Sequence, residues 1–358
     1  MDFDLEEFLV AENRHIFNNS PQVLCQDDDL YGPSTFGDGF QTVENLQNNH
    51  SQNEDKIKSW LINLETKENK LIIDDIDDGV IPEILKNYDW LEELEIDSQK
   101  IKKIQNLPKD LKSLSLFNNL IEDIPNNELP KNLLSLNLSR NKIQTLQNIP
   151  STVKELDVSH NLLRGCYLLT NTDLEELSIE SNFLENMPLL LNGLKRLDIS
   201  QNKLQKIYNV VDSIEDLDFS LNEITMINKL PKNAKRINGF NNKITFLCDL
   251  PDELEYGDFS YNQIIVLPKL PLNIHKIDFA CNKINLVSTD LENNIDQLNK
   301  DCIIILINNP LEKVSDKIIK DSRFKSNKII KETLKTDDLN NKKLDKYIEI
   351  KLRGNIIL

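Results

Sequence analysis

The segment LKRLDISQNKLQKI, residues 194–207, is followed by IEDLDFSLNEITMI, residues 214–227, and the two segments share one pattern. Apolar residues lie eight, five and three positions before a shared Asn, and two and five positions after it. The two Asn residues, Asn202 and Asn222, are 20 residues apart. Self-similarity at such a period is typical of solenoids, in which each unit stacks on its neighbours. The pattern therefore predicts a repeated architecture.

The same spacing recurs over residues 89–311 and defines about eleven units. The first unit has Gln99 in the Asn position, and the last ends at Asn309 after a longer step. We call the nine Asn residues between them the Asn ladder, because each would satisfy backbone groups where the chain turns off a strand. Its members are Asn119, Asn141, Asn161, Asn182, Asn202, Asn222, Asn242, Asn262 and Asn282.

Each unit predicts one short strand and an extended return leg. The L-x-L segment alternates apolar and other residues, which places its apolar side chains on one side of a strand. A Leu-Pro or Ile-Pro pair precedes six of these strands, as at Leu230-Pro231. Because proline blocks a helix and favours extended geometry before it, we expect a return leg without helix. Stacked units would then form a parallel sheet over a core of Leu and Ile.

These units resemble leucine-rich repeats of the pattern L-x-x-L-x-L-x-x-N-x-L. The 20-residue period with Leu-Pro before the strand is similar to the short subclass found in secreted effectors of enteric pathogens. The resemblance implies an α/β repeat solenoid, a horseshoe with a parallel β-sheet on its concave face, an extended convex side and helical caps. Gly239 and Gly257 replace apolar strand residues, so we expect a locally thinner sheet there.

The segments that flank the repeats differ from them in charge. Residues 1–55 carry 12 acidic residues and one Arg, which predicts a disordered tail or, alternatively, an acidic docking peptide. Residues 56–88 are expected to cap the first unit, and residues 312–358, which are basic and expected to be helical, to cap the last. A lipid- or RNA-binding role for the basic tail is the alternative. The insertion STDLENNIDQLNK, residues 288–300, predicts a short helix with a Ser cap.

Composition excludes several classes of function. A net charge of -17 argues against a nucleic-acid partner, and no apolar run reaches the length of a membrane span. The acidic start MDFDLEEFLV argues against a secretory signal, and neither G-x-x-x-x-G-K-[ST] nor G-x-G-x-x-G occurs. Four His without ligand spacing and five scattered Cys predict neither a metal site nor disulfides. We expect no cofactor, no catalytic residue and a cytoplasmic location.

The concave face is the expected binding surface. The position four residues before each ladder Asn is rich in Asp, which predicts an acidic stripe for a protein partner with a basic patch. The alternative is that Asp is simply a common residue at this position of the repeat and has no binding role. Phe240, Tyr256 and Tyr261 are expected to form an exposed aromatic hot spot, or alternatively to pack within the sheet over Gly239 and Gly257. The candidate partner-binding residues are Phe117, Asp157, Asp198, Asp218, Phe240, Tyr256, Asp258, Tyr261 and Asp278.

Charged pairs seven and six residues before the Asn alternate in sign from unit to unit. Glu175-Glu176 is followed by Lys195-Arg196, then by Glu215-Asp216 and Lys235-Arg236. Neighbouring strands would therefore present opposite charges to each other. We interpret this alternation as a cross-strand ladder that fixes strand register.

The leading hypothesis is a non-catalytic intracellular scaffold that binds a partner protein on its concave face. A substrate-recognition subunit or a ubiquitin-ligase-related effector is an alternative. Cys25-Gln26-Asp27 matches the Cys-x-Asp motif of such ligases, although no basic residue near it would lower the pKa of the thiol. A regulatory adaptor of a phosphatase or kinase is another alternative. Heavy use of Asn, Ile and Lys suggests an AT-rich genome, such as that of a giant virus, and would place the protein in host cytoplasm.

Overall fold

The computed structural model describes residues 56, 69–76, 78–165 and 173–326. Its largest element is one parallel sheet of thirteen strands, in which each strand pairs in register with the strand of the next unit, as Leu197 does with Leu217. The strands are β1 Lys70–Ile72, β2 Glu93–Glu95, β3 Ser113–Ser115, β4 Ser135–Asn137, β5 Glu155–Asp157, β6 Glu176–Ser178, β7 Arg196–Asp198, β9 Asp216–Asp218, β11 Arg236–Asn238, β13 Tyr256–Asp258, β15 Lys276–Asp278, β17 Ile303–Ile305 and β18 Phe324–Lys325.

The return legs of the later units are extended, and five of them contain two-residue strands. These are β8 Lys206–Ile207, β10 Met226–Ile227, β12 Phe246–Leu247, β14 Val266–Leu267 and β16 Leu286–Val287. They pair parallel to one another as β12-β10-β8 and as β14-β16. This agrees with the prediction of return legs without helix.

Helices are few in the described part of the chain. They are α1 Thr289–Asn294, α2 Asp316–Ile319, and the 3-10 turns Glu83–Asn87 and Ile295–Gln297. Helix α1 lies in the predicted insertion, and the Ser288 hydroxyl accepts a hydrogen bond from the Leu291 N–H at 3.3 Å, so the expected Ser cap is confirmed.

The core is a set of apolar columns between the sheet and the return legs. The strand residue five before each Asn and the residue three before it both point inward, as Leu197 and Ile199 do. At Gly239 this column lacks a side chain, but a Cβ there would lie 2.6 Å from Cε2 of Phe219 and 3.1 Å from Cδ1 of Phe259. The two rings fill the space, so the expected thinning of the sheet at Gly239 is wrong.

The ends of the array extend the sheet by one strand each. At the N-terminal end, β1 pairs with β2, and Leu71 and Ile73 are buried against the first unit. At the other end, β18 pairs with β17, and the buried Phe324 lies on it. The helix expected in the segment that ends at Phe324 is present as the single turn α2, and the strand β18 follows it. Residues 1–55 and 327–358 lie outside the described residues, and the boundaries of the caps stay predictions.

Candidate functional site

The Asn ladder fixes the turn at which each concave strand ends. The Asn202 amide donates to the carbonyl oxygens of Ile179, Ile199 and Ser200 at 2.9, 3.2 and 3.0 Å, and its oxygen accepts the Leu184 N–H at 2.9 Å. The side chain therefore satisfies its own turn and the preceding unit. The other ladder residues are likewise buried and repeat these bonds between units.

The residue before each ladder Asn adopts a left-handed backbone, a feature that the periodicity did not reveal. The φ angle is 54° at Arg140, 53° at Gln201, 55° at Leu221 and 56° at Tyr261. The conformation is unusual for residues other than Gly, Asn and Asp. It orients these side chains at the rim of the concave face, where the ladder bonds hold the turn.

The acidic residues four before the Asn have a structural role in addition to any binding role. The Asp198 carboxylate accepts the Ser200 N–H at 2.9 Å and the Ser200 hydroxyl at 2.6 Å, and Asp218 accepts the Ser220 N–H at 2.8 Å. Asn137 makes the same bond to the Ser139 N–H, also at 2.9 Å. An Asx side chain is favoured here because it closes the turn. Closure of the turn therefore explains why Asp is common at this position of the repeat.

Four carboxylates nevertheless gather on one strip of the concave face. We call Asp157, Glu180, Asp198 and Asp218 the acidic cluster. Burial, followed by the charges of Asp198 and Asp157, raises the pKa of Glu180 to about 7. Burial and the neighbouring Asp198 raise the pKa of Asp218 to about 8, and burial also raises the pKa of Asp198. The strip therefore concentrates carboxylates that a cation would stabilise in their ionised form.

Glu180 was not among the predicted residues. It occupies the position two before Asn182, where the neighbouring units have Ser159 and Ser200. The break in this column of Ser residues was the signal available in the sequence. Gln201 donates a hydrogen bond to the Glu180 carboxylate at 2.5 Å, which holds Glu180 beside the Asp column.

The predicted aromatic hot spot does not form as one cluster. Phe240 is only 2% exposed and packs edge-on against Tyr261, with ring centroids 5.4 Å apart. Tyr256 is exposed and instead stacks on His275 at 5.5 Å. The prediction of an exposed Phe240 is therefore wrong, and the two tyrosines belong to separate pairs.

The remaining candidates differ in accessibility. Asp278 is only 3% exposed, and its carboxylate accepts the Ala280 N–H at 2.7 Å, so its prediction as an accessible binding residue is wrong. Phe117 is half-buried and lies 5.8 Å from the Arg140 guanidinium. Asp258 is half-buried and closes its turn on Ser260.

Ion pairs connect neighbouring strands along the edge where the strands begin. Glu175 contacts Lys195 at 2.6 Å and Lys154 at 3.0 Å, and these two cations lower its pKa to about 2. Arg236 donates two hydrogen bonds to Asp216, at 2.6 and 2.8 Å. From β6 to β11, charges of opposite sign therefore face each other in register, as Glu176 faces Arg196.

The described residues hold no arrangement suited to nucleophilic or metal chemistry. Burial raises the pKa of the Cys248 thiol to about 11 and raises that of Cys302, which disfavours a reactive thiolate. Burial and Arg140 lower the pKa of His160, with Asp157 acting in the opposite direction. Among these residues no group of three or more His, Cys, Asp or Glu could hold a metal ion. Cys25 and its neighbours lie outside them.

The sequence matches no protein-family model and no curated protein. Solved structures do resemble it. YopM from Yersinia enterocolitica aligns at 25% identity and a TM-score of 0.58, over 73% of this chain and 55% of YopM. The fold is a leucine-rich-repeat solenoid. YopM from Yersinia pestis, described as a leucine-rich effector protein, aligns at 24% identity and a TM-score of 0.57, over 67% of this chain and 72% of its own.

A third match is a structure of the Toll–Spätzle complex of Drosophila. Its TM-score is 0.52 at 18% identity, and the alignment covers 72% of this chain and 45% of the other. Solenoids use their extended curved surfaces for binding, so the architecture is that of a protein-interaction scaffold. No helix within the described ranges is long and apolar enough to span a membrane.

Proposed function

We propose that this protein is a non-catalytic scaffold whose concave face binds a basic segment of a partner protein. The observation that carries the proposal is the acidic cluster, in which Asp198 and Asp218 lie side by side in register on β7 and β9. Adjacent like charges destabilise a sheet unless a cation offsets them. A Lys or Arg from a partner would supply that cation and would return the raised pKa values toward their ordinary range.

The exposed ladder of ion pairs beside the cluster supports recognition rather than catalysis. Arg196 and Arg236 flank Asp216 on neighbouring strands and pair with Glu176 and Asp216, so the charges of this ladder are balanced within the protein. Tyr256 and its stacked partner His275 add an amphipathic surface further along the same face. The likeness to YopM supports the further proposal that the partner is a host protein and that binding occurs in the cytoplasm.

A peptide-display selection against the full chain tests the proposal. We expect the selected peptides to be rich in Lys and Arg, and to bind the Asp198→Asn/Asp218→Asn variant at least about tenfold more weakly. Asn closes the same turn at Asn137, so this variant retains the fold. The matched control is Asp252→Asn/Glu253→Gln, which removes two exposed charges outside the concave strands. Equal binding of basic peptides to both variants and the wild type would contradict the concave-face proposal.

A further inference from the structure

An apolar row lies on the return legs, away from the concave strands. We call Met226, Phe246, Val266 and Leu286 the outer row, because each lies four residues after a ladder Asn in four successive units. Their exposed fractions are 39%, 58%, 44% and 40%. Met226 pairs in register with Phe246, and Val266 with Leu286, so the side chains stand beside one another.

The repeat itself does not require these residues to be apolar. The residue that follows each of the first three on its strand points inward and is buried: Ile227, Leu247 and Leu267. The outer row therefore points away from the core and contributes little to it. In the earlier units the same position is polar or small, and is occupied by Asp123, Thr145, Gly165, Asn186 and Lys206. A contiguous exposed apolar row, unlike scattered single residues, is typical of an interaction surface.

The surroundings of the outer row are basic, in contrast to the chain as a whole. Over the four residues after each Asn from Asn202 to Asn282, the charged side chains are Lys203, Lys206, Glu223, Lys243 and Lys283, a net charge of +3. All five are exposed. The whole chain carries -17. Charge complementarity therefore favours an acidic partner on this side, whereas the concave face favours a basic one.

The spacing of the row indicates the backbone conformation of its occupant. Hydrogen-bonded strands lie about 4.8 Å apart, so a peptide lying across them meets one apolar side chain at each such step. A helix advances about 5.4 Å per turn, whereas an extended chain advances about 6.8 Å between side chains of one face. At the steps from Met226 to Phe246 and from Val266 to Leu286, which join paired strands, the helix is out of step by about 0.6 Å and the extended chain by about 2 Å. The helix is the better match.

We propose that the outer row docks one acidic amphipathic helix of a partner protein. Apolar residues at i, i+4, i+7 and i+11 of that helix would contact Met226, Phe246, Val266 and Leu286, as in other helix-docking interfaces. Glu and Asp on its flanks would pair with Lys206, which lies beside Met226, and with Lys283. Lys243 already pairs with Glu223 at 2.9 Å. This surface is separate from the concave face, so it can be occupied while the concave face holds its own partner.

Fluorescence anisotropy with synthetic peptides and the full chain tests this proposal. The probe is a labelled helical peptide with Leu at i, i+4, i+7 and i+11 and Glu on both flanks. We expect saturable binding, and a loss of at least about tenfold in the Phe246→Thr/Val266→Thr variant. These substitutions introduce the residue that the unit of Asn141 has at this position, Thr145, and thermal unfolding verifies that the variant folds. A Lys-for-Glu version of the peptide should bind more weakly.

The matched control is Leu162→Thr/Phe183→Thr, which removes two exposed apolar side chains of earlier units, each 39% exposed, outside the row. Its affinity for the peptide should stay within about twofold of the wild type. Three results would overturn the proposal. The first is that the peptide does not bind to the wild type. The second is that the control variant weakens peptide binding as much as the Phe246→Thr/Val266→Thr variant does. The third is that the peptide does not bind and the Phe246→Thr/Val266→Thr variant instead loses self-association or binding to anionic vesicles.

Discussion

The two halves of the solenoid fill the same core column in different ways. Three residues before each Asn, the first half has Leu116, Leu138, Val158, Ile179 and Ile199, whereas the second half has Phe219, Gly239, Phe259 and Phe279. All of these apolar side chains are fully buried. Phe259 and Phe279 stack at 5.6 Å, and Gly239 makes room for the ring of Phe219. The repeat thus fixes the total volume of the column and leaves its distribution between units free.

The turn that follows Gly239 also differs in sequence from its neighbours. Phe240 takes a position that Ser220 and Ser260 occupy in the flanking units, and it is buried. The Asn242 amide reaches the carbonyl oxygens of Gly239 and Phe240 at 3.3 and 3.4 Å, compared with 3.2 and 3.0 Å for the corresponding bonds of Asn202. The sheet register is kept through this unit, since Ile237 pairs with Leu217 on one side and with Gly257 on the other.

The largest effect is expected when Gly239 in the second half is replaced by Ile, the residue that the first half has at the same position in Ile199. Gly239→Ile would place a Cβ 2.6 Å from the Phe219 ring, so the ring or the strand must shift. We expect a loss of about 2 to 3 kcal/mol in the free energy of unfolding, measured by urea denaturation. The double variant Gly239→Ile/Phe219→Ile should recover part of this loss. A single variant as stable as the wild type would show that the column is not packed as described.

A substitution in the acidic cluster, which lies at the junction of the two halves, is expected to change the free energy of unfolding by a smaller amount and in the opposite direction. The pKa of Asp218 is about 8 in the fold, above its unfolded value near 4. The protonated carboxyl group therefore contributes fully to the free energy of unfolding below pH 4, and this contribution is lost as the pH rises to 8. Asp218→Asn removes that loss. We expect the variant to match the wild type near pH 4 and to exceed it by at least about 1 kcal/mol at pH 8.5, by urea denaturation.

The control for this pH dependence is Asp212→Asn. The Lys229 ammonium, as the main cause, lowers the pKa of Asp212, so its charge stabilises the fold at pH values above that pKa. This variant should lose stability at pH 8.5, or leave it unchanged, in contrast to Asp218→Asn. Equal pH profiles for Asp218→Asn and the wild type would contradict the buried environment of the acidic cluster.

The smallest loss in the free energy of unfolding is expected when an exposed ion pair is removed, and this loss should be similar in the two halves. Arg236→Gln in the second half and Lys112→Gln in the first remove contacts of 2.6 Å to Asp216 and Glu92. Each should cost no more than about 1 kcal/mol at low salt and less at 1 M salt, in urea titrations at both ionic strengths. A loss above about 2 kcal/mol in one half alone would show that the ion pairs of that half do more than fix the strand register.

The sequence predicted the sheet and the Asn ladder because both follow from periodic positions, as at Asn202. It did not predict the burial of Phe240, because the edge-on packing of this ring on Tyr261 follows from contacts in three dimensions and not from the periodic pattern. Asp278 is buried because its strand pairs with Ile303–Ile305, the strand of the irregular last unit. Glu180 and the outer row were missed because they are departures from the pattern, and they became visible only when the columns were aligned in three dimensions.

The direction of the Asn ladder bears on how the chain is made. The Leu204 N–H is accepted by Asn222 of the following unit at 2.9 Å, and the Ile284 N–H by Asn309 at 2.8 Å. Each unit therefore receives a missing hydrogen-bond acceptor from the unit that leaves the ribosome after it. A nascent chain would carry one incomplete turn at its growing end, and each newly synthesised unit would complete the turn before it. The solenoid can thus assemble in the direction of translation, one unit at a time.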